Sequence, residues 1–255
     1  MTSDARRRSE HHFTATARDF AESRALRDLA QFESLLRLIA PGPRDALLDV
    51  ACGPGRLLAT FAPRVRIAAG VDLTMEMLRV AREQHQAGAA VALVRGEGEH
   101  LPFPDRAFTI VTTTLAIHHY GDPRRVLEEM ARVCQQGGKV AVGDIVGAED
   151  DARRARQNEI ERLRDPSHVQ VFSGSGLQAM LKSIGLVPLG RASGTIVREL
   201  NEWCRIAHTP PAAAALVRKM LLESREEDGA GMQPVLHEGE LRFNHHWLNL
   251  VCRRA

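Results

Sequence analysis

Short apolar runs alternate along the chain with stretches of helical periodicity. Ala46 to Ala51 is apolar except for Asp49, and a run of that length reads as a strand buried on both faces of a parallel sheet. It breaks at Gly53-Pro54-Gly55, after which Leu57, Leu58 and Phe61 recur at helical spacing. Val65 to Val71, Val91 to Val94, Phe108 to Thr114 and Lys139 to Val146 read as the second to fifth strands. Between the last two, Asp122-Pro123 opens a helix, with the carboxylate as N-cap and proline in the first turn. Val126, Leu127, Met130 and Val133 form its buried face, and Gln136-Gly137-Gly138 is expected to end it. Strand–helix alternation of this kind predicts a doubly wound, mostly parallel α/β sheet.

The flanks differ. Residues 1–9 are polar and are expected to fray. Residues 10–40 read as helical, with Phe13, Phe20, Leu26, Leu29, Phe32, Leu35, Leu36 and Ile39 on their apolar faces, and Pro41-Gly42-Pro43 ends them. After the fifth strand comes a charged helix over 148–167, then a helix capped at Phe172-Ser173 that reaches about Ser183. Two antiparallel strands are expected at about 186–197 and 240–253. Between them 201–225 reads as helical, broken at Pro210-Pro211, and 226–231 as a mobile loop.

The chemistry begins at the first strand. Glycines in the turn after it let the backbone approach a ligand, and the N–H groups of the following helix face that ligand. Asp72 ends the second strand about 20 residues later, where a carboxylate accepts ribose hydroxyls. A dinucleotide site favours a third glycine that is missing here, since Arg56, Leu57 and Leu58 follow Gly55. Asp49 also suits a cationic amino-acid group better than a pyrophosphate. Both features point to S-adenosylmethionine (SAM) and argue against a nicotinamide dinucleotide.

Five segments carry a resemblance: 49–57 (D-V-A-C-G-P-G-R-L), 71–78, 96–108, His118-His119-Tyr120-Gly121-Asp122-Pro123 and Gly137-Gly138-Lys139-Val140. Over about residues 10–190 the chain resembles class I SAM-dependent methyltransferases, and most of all the small-molecule branch that includes the quinone C-methyltransferases. That resemblance implies a Rossmann-like, doubly wound, mostly parallel seven-stranded sheet with an antiparallel last strand. It implies an N-terminal helical lid over residues 1–40 and a cofactor domain over 41–255, with substrate-facing insertions at about 148–170 and 200–233. The implied cofactor is SAM, leaving as S-adenosylhomocysteine, and the implied contacts are Asp49, Ala51, Gly53, Gly55, Asp72, Leu73, Met77, Glu97, Gly98 and Thr114. Glu97 stands where the family usually has aspartate, and Phe20 where it usually has tyrosine.

His118 and His119 follow the fourth strand, at the sheet edge where open α/β sheets bind ligands. They are the candidate general bases, because histidine exchanges protons near neutral pH. The alternative is that the pair caps the helix at Asp122 or packs structurally. Phe13, Phe20, Asp144, Arg164 and His168 are the candidate acceptor contacts.

Composition narrows the partners. The 255 residues carry 34 basic and 32 acidic side chains, a net charge of +2, so no strong field calls for nucleic acid or an anionic surface. The four cysteines lie too far apart for a metal motif, and no metal site is expected. No stretch is apolar for long enough to span a bilayer, and a cytoplasmic, small-molecule enzyme is expected. Oligomeric state is left open, with a homodimer one option. The competing reading is a SAM-binding protein of the same fold that transfers no methyl group, as a partner subunit or a non-methylating catalyst.

Overall fold

A parallel sheet needs cover on both faces, because its strands are apolar throughout. The computed structural model, which describes residues 3–23, 30–84 and 91–255, shows how this chain supplies it. β1 (Ala46–Val50) is buried at every position, Asp49 included. It pairs in parallel with β2 (Ile67–Asp72) and β4 (Phe108–Thr114); β3 (Val91–Arg95) continues one side and β5 (Cys134–Gly147) the other. Two long strands complete the path, β7 (Leu186–Glu199) and β9 (Glu240–Arg254), in the order β3-β2-β1-β4-β5-β9-β7. Only β9 runs antiparallel to its neighbours in that path. These are the seven expected strands; two short ones are added, β6 (Phe172–Ser173) beside β5 and β8 (Val235–His237) beside β9.

The helices divide into three groups by what they bury. α5 (Pro123–Val133) and α7 (Gly174–Ser183) cover one face through Val126, Leu127, Met130, Leu177 and Leu181. α2 (Ala30–Ile39), α3 (Arg56–Phe61) and α4 (Met75–Gln84) cover the other through Phe32, Leu35, Ile39, Leu58, Phe61 and Leu78. A third core lies beyond the sheet. There α6 (Asp151–Arg164), α8 (Leu200–Ile206) and α9 (Pro211–Glu223) close on Ile160, Trp203, Met220, Leu221, Met232 and Phe243. The two expected insertions therefore pack on each other and on the start of β9.

Three expectations change. The polar N-terminus does not fray: α1 (Ser3–Glu22) begins at Ser3. Its buried stripe is Ala5, Ser9, His12, Thr16 and Ala17, which has helical spacing but too little apolar character for hydrophobic periodicity to reveal it. Leu26 and Leu29 lie outside the described residues. β5 starts at Cys134 instead of Lys139, because the glycine pair makes an irregular step in the strand, with Gly137 at φ +74. The segment 226–231 leads into a packed plug. The Gly231 amide donates to the Asp228 carbonyl at 2.8 Å, the Asn244 amide to the Met232 carbonyl at 2.7 Å, and Ala230 and Met232 are fully buried.

This last difference can be measured. Met232→Ala should lower the free energy of unfolding by about 2–5 kcal/mol, read from urea titrations with unchanged slope, whereas a mobile loop would give a change near zero.

Candidate functional site

Chain order reverses between β1 and β4, so a cleft opens beyond their carboxyl ends. The residues that follow these strands there have backbones that side chains rarely adopt. Ala51 has φ +54 and Leu115 +53, beside Gly53 at +51 and Gly55 at +82. Such conformations cost about 1–3 kcal/mol each for non-glycine residues and cluster at ligand sites. Asp72, at the end of β2, holds the turn. One carboxylate oxygen accepts from the Gly53 amide at 2.8 Å and the other from the Thr74 amide at 2.8 Å. Burial pushes this carboxyl up to about 6, although the Thr74 and Gly53 amides pull the other way. Each oxygen keeps a lone pair for a ligand hydroxyl.

Ala51, Gly53, Asp72, Leu73, Met77, Glu97, Gly98 and Thr114 all line this one cavity. Asp49 and Gly55 do not. Asp49 is 1% exposed and takes the Thr112 hydroxyl at 2.9 Å; burial pushes its carboxyl up to about 7, opposed by that hydrogen bond. Glu97 is paired with Arg6 of α1 at 2.5 Å, so the helix is anchored where the adenine edge was expected. Gly98 fits tightly, since a Cβ there would lie 2.5 Å from the Tyr120 hydroxyl.

These residues fit SAM on structural grounds: a glycine turn for close approach, a carboxylate with free lone pairs at ribose distance along the chain, and an apolar Leu73–Met77 wall.

His118 and His119 line the same cavity. His118 Nδ1 donates to Asp144 Oδ1 at 2.6 Å, and the His118 amide donates to Oδ2 at 3.0 Å. Burial alone would lower this histidine, but the charge and hydrogen bond of Asp144 outweigh it and hold it above its ordinary value. His119, with its ring 4.0 Å from that of His118, is held well below, by burial and then by the charge of His118. The Ser167 hydroxyl has a single proton, which it gives to Asp165 Oδ1 at 2.6 Å. His119 Nδ1, 3.1 Å from that hydroxyl, must therefore carry the hydrogen, and Nε2 is left with the lone pair.

Phe13 and Phe20 of α1 line the cavity in an edge contact at 5.5 Å, and Phe13 also meets the His119 ring at 4.9 Å. Arg164 lines it between two rings, 5.7 Å from Phe20 and 5.0 Å from Trp203. Asp144 and His168 stand behind the wall. His168 Nε2 lies 2.8 Å from Asn158 Oδ1, and burial takes this histidine down to about 4. Sequence reasoning missed Arg6, Arg198 and Trp203 and did not decide whether His245 faces solvent or the pocket; all four line the cavity. Arg6 was assigned to a frayed end. The other three sit in segments with no motif: the pairing of β7 with β9 brings Arg198 and His245 to the site, and α8, directly after β7, brings Trp203.

Relatives agree with this geometry. The family model for a methyltransferase domain matches residues 48–142. The uncharacterised methyltransferase YcgJ of Bacillus subtilis is 36% identical over 166 residues, 64% of this chain and 66% of that protein, just under two thirds of its length. Its crystal structure superposes with a TM-score of 0.81 at 28% identity over 88% of this chain and 98% of that one. A Bacillus halodurans C-125 structure, described as a candidate methyltransferase, gives 0.82 at 26% identity over 88% and 98%. A demethylmenaquinone methyltransferase of Bacillus licheniformis is 36% identical over 96 residues, 36% of this chain and 41% of that protein. With its sheet order, its glycine turn and these relatives, the chain has the fold of the class I SAM-dependent methyltransferases and carries a methyltransferase-domain match over residues 48–142.

Proposed function

We propose that the protein transfers the methyl group of SAM to a small-molecule acceptor whose attacking atom gives up a proton. The observation that carries this reading is a single cavity. The Asp72-clasped glycine turn and a neutral histidine with an unprotonated Nε2 line it together. SAM supplies the electrophilic methyl group when bound. The protein's part is alignment and exclusion of water, which is where most of the rate gain in such a displacement arises. Phe13, Phe20 and the Leu73–Met77 wall present apolar surface to both partners. His119 Nε2 takes the proton from a phenol, enol or carbon acid, while Nδ1–H leans on Ser167 and, through it, on Asp165. His118, fixed by Asp144, keeps the positive side of the pair and so keeps His119 neutral. A quinone-like acceptor is one member of this class, in line with the menaquinone-pathway relative. A cytoplasmic setting belongs to the same reading, since all four cysteines are free and buried. Among the described residues no helix is long and apolar enough to cross a membrane.

The reading is tested first by calorimetry. SAM should bind the wild-type protein at micromolar concentration and NAD should not. Asp72→Ala should weaken SAM by about 10-fold or more, the loss of a charged hydrogen-bond acceptor. Absence of SAM binding in protein whose circular dichroism is intact would overturn the proposal.

The histidine assignment is tested without an acceptor. In nitrogen-resolved NMR titrations His118 should stay protonated up to a pH above its ordinary value of 6.5, and His119 should stay neutral well below it. Asp144→Asn should bring His118 down and, by removing the neighbouring charge, let His119 rise. Once an acceptor is in hand, His119→Ala should lower kcat about 100-fold and leave SAM affinity unchanged; full activity would remove His119 from the mechanism.

A further inference from the structure

Arg198 is the least explained charge in the molecule. It stands on β7 opposite Phe243 of β9, is 2% exposed, and lines the cavity. Its Nε has no hydrogen-bond partner. The two acids whose charge reaches it face other groups: Glu161 lies 2.9 Å from His245 Nε2, and Glu202 accepts from Ser23 at 2.8 Å. Among the described residues, none forms an ion pair with Arg198.

A guanidinium has five donors and no way to accept. Buried without a counter-charge it is costly, and an apolar residue of the same length would pack more favourably. Burial, and next the charge of Arg164, lower its pKa to about 10, which still leaves it charged at neutral pH. The neighbouring Arg164 is not equivalent. Its Nε donates to the Trp203 carbonyl at 3.1 Å and its Nη1 to Asp165, so its fork is already taken. Arg198 is therefore an open planar fork lining a cavity that the Trp203 ring also lines.

We infer that Arg198 binds an anionic oxygen group, of the carboxylate kind, on the methyl acceptor, so that the acceptor is a small apolar or aromatic acid. This rests on the methyltransferase reading of the cavity and adds the acceptor's class to it. The fork geometry suits two carboxylate oxygens at once, and the rings of Phe13, Phe20 and Trp203 suit the apolar body. One other carboxylate belongs to the reaction, that of the amino-acid end of SAM, and the experiment separates the two.

Benzoate and phenylacetate are titrated against benzamide and phenylacetamide, using protein loaded with S-adenosylhomocysteine, with binding read by calorimetry or ligand-observed NMR. The wild-type protein should prefer each acid over its amide by about 10-fold or more, the scale of one charge-assisted pair. Arg198→Met should abolish the preference and Arg198→Lys should keep part of it. SAM affinity should stay within about 2-fold in both variants, less than the loss of one hydrogen bond would give. The inference is overturned if the wild type shows no preference for acids, or if the preference survives in Arg198→Met. It is also overturned if Arg198→Met weakens SAM about 10-fold or more, which would assign the fork to the cofactor's carboxylate. Should Arg198→Met fail to fold, wild type and Arg198→Lys decide: a reduced acid preference in Arg198→Lys supports the assignment, and an undiminished one would leave the fork without a ligand role. If S-adenosylhomocysteine does not bind the wild type, the methyltransferase reading falls separately, and the acid–amide comparison on the unloaded protein still decides Arg198.

Discussion

The carboxylate of Asp72 accepts from two backbone amides, Gly53 on the turn after β1 and Thr74 at the entrance to α4. Through these bonds the ends of adjacent strands are held at a fixed spacing, and the positive-φ backbone at Ala51, Gly53 and Gly55 keeps its shape. The Cys52 amide adds a bond to the Val71 carbonyl at 3.0 Å. Everything the cavity offers a ligand on that side depends on this clasp. A buried carboxyl with no cation nearby is an unfavourable arrangement, and its upward-shifted pKa is the sign of that. Two hydrogen bonds from the ligand's own hydroxyls would complete its acceptor sites.

The other walls are held differently. α1 is tied across the opening by Arg6–Glu97, Glu10–Arg95, Arg18–Glu83 and Asp19–Arg205, all between partly or largely exposed side chains. Exposed pairs of this kind are worth roughly 0–1 kcal/mol each. Its inward face is small and polar, apart from Phe13, Phe20 and Ala17. The wall at His245, by contrast, is backed by the third core, where Trp203 and Phe243 meet its ring and Met232 and Ile160 lie buried behind them. The energetics thus put a weakly held element, α1, on one side of the cavity and a desolvated core on another, which is the arrangement a site needs if it is to admit two partners and then exclude water.

Much of this was legible in the chain. The run around Leu47 and Leu48, the Gly53-Pro54-Gly55 break and Asp72 are local features: each residue type is dictated by a backbone shape or a ligand contact within a few positions. So the strand order's core and most of the residues that line the cavity around the glycine turn could be read directly. Asp49 could be identified as unusual but not placed, because whether a strand carboxylate faces a cavity or the Thr112 hydroxyl beneath it depends on the pleat and on β4. The rest is set by pairing over long distances. Arg198 and His245 come to one place because β7 registers with β9, Ile196 opposite His245 and Arg198 opposite Phe243, and α8, which follows β7 directly, sets Trp203 5.4 Å from the His245 ring. Arg198 lies in an alternating strand where an arginine normally marks the solvent face. The polar stripe of α1 carried no hydrophobic signal, and Ala230 and Met232 looked like part of a Gly- and Glu-rich loop until the third core enclosed them.

Hydrogen exchange, followed peptide by peptide with and without S-adenosylhomocysteine, tests the central claim that α1 closes a cofactor site built on the Asp72 clasp. Saturating ligand should slow exchange in three places: the 53–56 turn, the 96–98 segment, and α1 along its length, with the third core unchanged. Exchange left unaltered in α1 and the 53–56 turn at saturation, or protection confined to some other surface, would contradict it.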